Sequence, residues 1–316
     1  MRYLVTLKPL QPYLFGGDTT FGTFGDDKNS SYLVHSREFP QQSAILGMVK
    51  KEIMIQSGVL TRKVRGEWVD KHQKSEANTL VGDKKFDIFS NKLQNFGAIK
   101  SLEPIFLIKD NKKYIKRVDI NSYTYKDGLL QGYNEKDIYD NFVEINSDDT
   151  LLSDDIFDAI EQIGNSKFDK KDSLFKKTSY KLKNDFKFAF YMECDYELSN
   201  SIVTLGADKS SFKLEITKDN STLNYNDKNG YLTLLSDSYI TIPLKENCDF
   251  AITSEISYKQ LTNSFQKNKR TFSKSDKIYL YEKGSVILNP SQKLLENIDN
   301  KNCQQIGYNN YTYKGQ

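Results

Sequence analysis

His35, Arg37, Gln41, Gln42 and Ser43 crowd one short stretch just ahead of an apolar run. An imidazole, a guanidinium, two carboxamides and a hydroxyl all donate hydrogen bonds, so this set would suit an anion. After Phe39-Pro40, residues Ile45, Met48, Val49 and Ile53 recur at helical spacing. A helix over residues 40–57 is therefore expected, with Pro40 at its first position, where a missing N–H costs nothing. The free N–H groups of such a helix start carry partial positive charge and would favour a phosphate. The plainer reading of the same residues is an ordinary capped helix packed on a sheet. His35 beside Arg37 would also suit general acid–base work in metal-independent RNA cleavage, with a 2′-hydroxyl attacking the adjacent phosphate. A histidine in such a loop equally serves as a contact and no more.

Gly16-Gly17-Asp18 has the Gly-Gly-Asp of polymerase palm turns, where two carboxylates hold the metals that clamp a phosphoryl group. Here Thr19 follows, and Asp26 and Asp27 fall in a separate turn-like segment, so a metal-dependent polymerase is not expected. Near the C-terminus, I-G-Y-N-N-Y-T-Y-K (residues 306–314) offers a glycine for close backbone approach, amides, a cation and three tyrosines. Tyrosines in such a setting would stack on bases, or would simply line a terminal strand. No G-x-S-x-G, P-loop or dinucleotide fingerprint occurs. Cys194, Cys248 and Cys303 are isolated from one another and from histidine, so neither a disulfide framework nor a zinc site is indicated. No metal and no cofactor are expected.

With 45 Lys and Arg against 42 Asp and Glu, the formal charge of +3 does not by itself announce a nucleic-acid binder. The distribution says more. Residues 135–161 hold ten acids, from Glu135 to Glu161, with Lys136 the only base, and residues 167–187 then reverse the sign with Lys167, Lys170, Lys171, Lys176, Lys177, Lys181, Lys183 and Lys187. Such blocks suggest one surface facing a polyanion and another facing solvent or a basic partner; two solvated faces are the alternative.

The chain length is enough for about two domains. Residues 2–8 alternate like a strand and are too short and polar for a signal peptide or a membrane span, which points to a cytoplasmic protein with no membrane partner. Strands are expected at 102–108 and 114–118 around a turn at 110–113, and a polar insertion at 58–85 carries the single Trp68. Residues 153–164 read as a helix, with Ser153 as N-cap, acids in the first turn, Ile156, Ile160 and Ile163 on one face and Gly164 at the C-cap. Beyond it come strand candidates at 186–198, 212–217, 231–235, 239–244, 250–256, 278–281 and 285–288. Strand, helix, strands, helix, strand in the first half is a ferredoxin-like order.

The segments L-K-P-L-Q-P-Y-L-F-G-G-D, E-F-P-Q-Q-S-A-I-L-G-M-V (38–49), V-G-D-K-K-F (81–86), F-G-A-I-K-S-L-E-P-I-F-L (96–107), L-F-K-K-T-S-Y-K-L (174–182), V-T-L-G-A-D-K-S-S-F (203–212), K-G-S-V-I (283–287) and I-G-Y-N-N-Y (306–311) follow one another along nearly the whole chain. In order and spacing the sequence resembles the CRISPR-associated RAMP superfamily, and within it the subunit of type III-B (Cmr) effector complexes that caps the crRNA 5′ handle. That resemblance implies an α+β fold of two ferredoxin-like, RRM-related domains with long inserted loops: residues 1–165, and a degenerate, β-rich second domain at 166–316. It implies a non-catalytic crRNA-binding role. The partners would be the crRNA 5′ handle, a large polymerase-like subunit and repeating backbone RAMP subunits, with target RNA met only indirectly. The RNA face it implies comprises Phe15, Gly16 and Gly17 of the first loop, then Arg37, Gln41, Gln42 and Ser43 with His35 beside them. It continues with Lys176, Lys177, Thr178, Ser179 and Tyr180, Gly206 with Lys209, and Gly307, Tyr308, Asn309 and Asn310. A RAMP endoribonuclease processing precursor crRNA through His35 is the rival reading.

Overall fold

The computed structural model describes the chain apart from residues 17–18, 24–29, 65–66, 69–70, 119–123, 132–139, 148, 167–172, 226–230, 260, 267–268 and 315–316; in several adjoining segments it describes the backbone alone. The chain opens with β1 (Arg2–Pro9), β2 (Thr19–Thr23), β3 (Ser30–His35) and helix α1 (Gln42–Gln56). The hairpin β4 (Lys63–Val64) and β5 (Glu67–Trp68) leads to helix α2 (Lys71–Val81). Next come β6 (Ile99–Leu102), β7 (Phe106–Lys109), β8 (Lys112–Val118), β9 (Thr124–Lys126), β10 (Leu129–Gln131), β11 (Asp140–Glu144) and β12 (Thr150–Leu152). A single turn α3 (Ser153–Ile156) precedes β13 (Phe157–Ser166), β14 (Ser173–Leu182), β15 (Lys187–Cys194), β16 (Ser201–Leu205) and β17 (Ser210–Lys218). The last part holds β18 (Leu232–Leu234), β19 (Phe250–Ile252), β20 (Glu255–Tyr258), β21 (Leu261–Gln266), β22 (Lys269–Lys274), β23 (Ile278–Tyr281), β24 (Val286–Leu288), α4 (Gln292–Ile298), α5 (Lys301–Gln305) and β25 (Tyr311–Thr312).

Alternation decides the centre. In β1, Tyr3, Val5 and Leu7 are buried on one face while Leu4 faces the other, and the strand lies antiparallel between β15 and β17. These three belong to a nine-stranded sheet of order β12-β11-β8-β7-β15-β1-β17-β16, with β6 also on β15. Strands from both sides of residue 165 meet in it. β15 is apolar on both faces: Phe188, Phe190, Met192 and Cys194 enter the main core, Ala189 and Tyr191 a second cluster with Phe106, Ile115 and Val143. Helix α1 covers the main-core face with Ile45, Leu46, Met48, Val49 and Ile53. Each such side chain contributes about 1.5–3 kcal/mol by leaving water. A second sheet, β13-β14-β3-β2, carries the parallel pair β14–β3, and a third, β19-β24-β18-β25, packs Leu232, Leu234 and Ile287 on Leu294 and Ile298 of α4. The whole is α+β, mostly antiparallel and poor in helix.

Several sequence expectations are corrected. Residues 153–164 are not a helix: after one turn, β13 pairs with β14 from Phe157↔Leu182 to Ser166↔Ser173, and Gly164 sits inside the strand. Its isoleucines recur at helical spacing, but β-branched residues are stiff and favour a pleated surface, and β14 supplies the backbone partners. Ser153 is inside the turn; Leu152 stands at the N-cap, and its N–H donates to Asp155 Oδ2 at 2.9 Å. Helix α1 starts at Gln42, so Pro40 lies ahead of the extended N-cap Gln41. The strand expected at 102–108 is two, broken around Pro104, where a ladder N–H is missing. Residues 239–244 are irregular up to Pro243 and a 3-10 turn at Leu244–Glu246, and 250–256 divides into β19 and β20. Helix α2 occupies part of the polar segment expected as an insertion at 58–85. The turn at 110–113 is tight: Asp110 and Asn111, at φ 50° and 63°, form the two-residue link between β7 and β8.

Candidate nucleic-acid interface

Four of the segments singled out in the sequence converge. Tyr13 and Tyr180 exchange backbone hydrogen bonds of 2.8 and 3.0 Å, Arg37 N–H donates to Phe15 O at 3.2 Å, and Ser36 N–H to Thr178 O at 2.9 Å. Ser36 Oγ also accepts from Phe15 N–H at 2.9 Å. His35, at the end of β3, lies opposite Thr178 in the parallel register and is exposed. The turn after β16 closes the group. Gly206, at φ +89°, brings Ala207 N–H to Leu14 O at 2.9 Å, and a Cβ on it would stand 2.5 Å from that oxygen. Only glycine fits there.

The surface so formed presents Gly16, His35, Lys181 and Lys209, all exposed. Lys181 and Lys209 make no ion pair with any described residue; Lys176 pairs with Glu161 at 2.6 Å and Lys177 with Asp208. Lys183 stands 4.0 Å from Asp158. Asp158 and Glu161 of the acidic block thus lie on β13 beside Lys176, Lys177 and Lys181 of β14, so this end of the acidic block shares a hairpin with the basic one, while Asp140 and Glu144 lie on β11 and Asp154 and Asp155 in α3. Gly17, Asp148 and residues 135–139 and 167–172 lie outside the described residues.

Other candidates are structural in their placement. Phe15 is buried and stacks on Phe212, its ring centroid 5.9 Å away, so its backbone alone belongs to the convergence. Ser179 is buried and donates to Ile160 O at 3.3 Å, while Tyr180 is half-buried. Gln41 makes no side-chain cap bond, and buried Gln42 donates from Nε2 to Glu103 O at 2.9 Å. Ser43 N–H donates to the Tyr308 hydroxyl at 3.3 Å. Tyr308 itself is fully buried, stacked on Phe86 at 5.6 Å, and burial holds its phenol far above the ordinary pKa. No face of that ring is offered to a base. Asn309 is fully buried too, its amide donating to Tyr239 O at 3.1 Å and Ile298 O at 3.0 Å while Oδ1 accepts from Tyr239 N–H. Asn310 donates to Tyr308 O at 2.9 Å, and Gly307, at φ +89°, packs on Gln42 and Glu103. The C-terminal segment therefore braces the start of α1 from inside.

Beside the convergence lies a cleft of about 170 Å³ walled by Arg37, Phe39, Tyr180, Lys116, Asp237 and Lys283. None of the last three was singled out as a site residue. A lysine in an otherwise buried run, K-G-S-V-I, was the only sequence sign. Burial raises the Asp237 carboxyl pKa and lowers that of the Lys283 ammonium. Burial also works to raise Glu282, but Lys116 at 2.8 Å and the Ser254 hydroxyl outweigh it and leave its pKa low. Among the described residues no group of three or more His, Cys, Asp and Glu is placed to hold a metal, and no helix is long and apolar enough to cross a membrane.

No family model and no curated protein matches the sequence. Its fold does match solved structures. A chain of the type III-B Cmr-beta complex bound to cognate target RNA and AMPPnP, state 1, superposes with a TM-score of 0.52 at 16% identity, covering 99% of this chain and 96% of that one. A chain of Cmr-beta bound to cognate target RNA gives a TM-score of 0.51 at 15% identity, again covering 99% and 96%. Over its full length, this chain shares the fold of a chain found in type III-B Cmr-beta complexes.

Proposed function

We propose that this chain is a subunit of a type III-B effector complex that binds the 5′ handle of the crRNA, docks the large polymerase-like subunit beside the repeating backbone subunits, and does not cut RNA. The observation that carries the reading is the end-to-end match of fold to Cmr-beta chains, with neither protein left with a large unmatched part. The convergence of the first loop, the end of β3, β14 and the Gly206 turn supports it. This is a surface with exposed backbone, a histidine and unpaired lysines, suited to phosphates and splayed bases. RNase-type cleavage needs a base, an acid and a charge stabiliser in one pocket, and the convergence centres on one histidine.

Tagged full-length protein, purified from its own host with whatever it holds, tests the reading by sequencing of the bound RNA. RNAs that share one 5′ segment, recovered together with a large subunit and repeated smaller ones, are expected. Recovery of free precursor RNA, or of no RNA, would overturn it.

A further inference from the structure

Lys283 is 8% exposed, yet its ammonium makes no hydrogen bond and no ion pair with any described residue. Its neighbour is the Phe39 ring, whose centroid lies 4.0 Å from Nζ. Lys116 shows what an internally satisfied lysine of the same cleft looks like, with Glu282 at 2.8 Å. Asp237, in the same cleft, accepts the Lys283 backbone N–H at 3.1 Å. An ammonium on the wall of a cleft with no hydrogen-bonding partner among the described residues keeps its donors for whatever enters the cleft.

The position is also rigid. Gly284, at φ +87°, sits so close to β8 that a Cβ would meet the Lys116 backbone at 3.0 Å. Its N–H donates to Leu234 O at 2.7 Å and its carbonyl accepts from Val118 N–H at 2.9 Å. Across the cleft, Arg37 uses one guanidinium nitrogen on Ser257 O and Oγ and leaves the others without a partner among the described residues. The acids nearby are otherwise engaged: Glu282 by Lys116 and Ser254, Glu38 by Ser153. Phe39, Tyr180 and Ile256 give the same cleft an apolar wall.

We propose that this cleft binds the phosphoryl group of a nucleotide, with Lys283 Nζ and the unengaged nitrogens of Arg37 as donors and the aromatic wall against the nucleoside. Charge-assisted bonds from a planar guanidinium and an ammonium are what a phosphate ester takes. The shared chemistry has two sources, a phosphate of bound RNA or a free mononucleotide. The inference goes beyond the crRNA reading and stands without it.

Calorimetry on the full chain with three probes (inorganic phosphate, AMP and a single-stranded RNA oligonucleotide) tests it. Lys283→Met should lower AMP affinity at least tenfold, and Lys283→Arg should keep it within about threefold. Lys283→Met should melt no lower than the wild type, because the ammonium holds no ion pair or hydrogen bond with any described residue. On the wild type, AMP should raise Tm while chloride at equal ionic strength does not. RNA that displaces AMP identifies the RNA as the source; RNA that binds alongside AMP identifies a separate nucleotide. AMP affinity unchanged by Lys283→Met, absence of AMP binding, or a strongly destabilised Lys283→Met would overturn the proposal, the last by making the ammonium a structural partner of Asp237. RNA bound equally by the wild type and Lys283→Met, with AMP bound by neither, removes the pocket and leaves the crRNA reading standing. AMP bound through Lys283 with no RNA bound does the reverse.

Discussion

Lys176 of β14 and Glu161 of β13 lie 2.6 Å apart across a hairpin, one strand of which is basic and the other acidic. An RNA phosphate arriving at this strand competes with a carboxylate already in place. Exposed pairs of this kind are worth about 0.2–1 kcal/mol each. Glu161→Gln with Asp208→Asn should therefore strengthen RNA binding about two- to fivefold at low salt, read by fluorescence anisotropy across a salt series. Lys176→Glu with Lys177→Glu should weaken it and flatten the salt slope. An equal loss on replacing Lys112 and Lys113, which lie on β8, would mean a diffuse charge effect and no site on β14.

His35 is expected to touch RNA and not to cut it. His35→Ala should leave the length of bound RNA unchanged and weaken binding by about 1–3 kcal/mol, as for one lost hydrogen bond to a charged group. Metal-free cleavage of repeat RNA by the purified wild type, abolished in His35→Ala, would establish the nuclease reading instead.

Gly206 and Gly307 should not tolerate a methyl group. Both have φ +89°, and a Cβ would stand 2.5 Å from Leu14 O at the first and 2.8 Å from Glu103 O at the second. The left-handed conformation alone costs a non-glycine residue about 1–2 kcal/mol. Gly128, at φ +76° with nothing within 4 Å, isolates that conformational share. In urea titrations Gly206→Ala and Gly307→Ala should lose clearly more stability than Gly128→Ala.

What the sequence revealed followed from local periodicity. β1 and β15 were legible because their side chains alternate, and α1 because Ile45, Met48, Val49 and Ile53 share a face. The hairpin of β13 was not, since Ile156, Ile160 and Ile163 fit a helix equally well until β14 appears as a partner. The same folding-back hid the pairing of Glu161 with Lys176 and the approach of Asp158 to Lys183. Four candidate segments do meet, but their contacts join residues such as Tyr13 and Tyr180, far apart in the chain. Tyr308 and Asn309 look like exposed recognition residues in composition, and only tertiary packing makes them internal. The K-G-S-V-I run marked Lys283 in the sequence, but only tertiary packing places it in the cleft.

Glu215 links acid stability to the central sheet. Hydrogen bonds from Lys187 at 2.7 Å and Lys213 at 2.6 Å hold its carboxyl down at about 2, against an ordinary 4.5. A depressed folded-state pKa contributes stability that is full above the unfolded value and is lost as pH falls through the folded one. Glu215→Gln should cost about 0.5–1 kcal/mol at pH 7, as expected of partly exposed pairs. The difference from wild type should shrink between pH 4.5 and 2. Thermal melts over that range measure it.

Cys303 is fully buried, and burial pushes its thiol up to about 12. A thiol reagent at pH 8 should leave it unmodified until the protein unfolds, because the thiolate is the reactive form. Rapid labelling of native protein at Cys303, located by peptide mass spectrometry, would contradict the packing around α5.

β1 is an interior strand of the large sheet, and both of its neighbours, Lys187–Cys194 and Ser210–Lys218, are made long after it. At a ribosome rate of about 5–20 residues per second, the strand waits on the order of 10–40 s for its second partner. During that interval its alternating apolar side chains and unpaired amides face solvent or a chaperone, a template for the wrong strand. Nascent chains halted short of residue 218 should accordingly stay protease-sensitive at their N-terminal end, however much of the chain has already emerged.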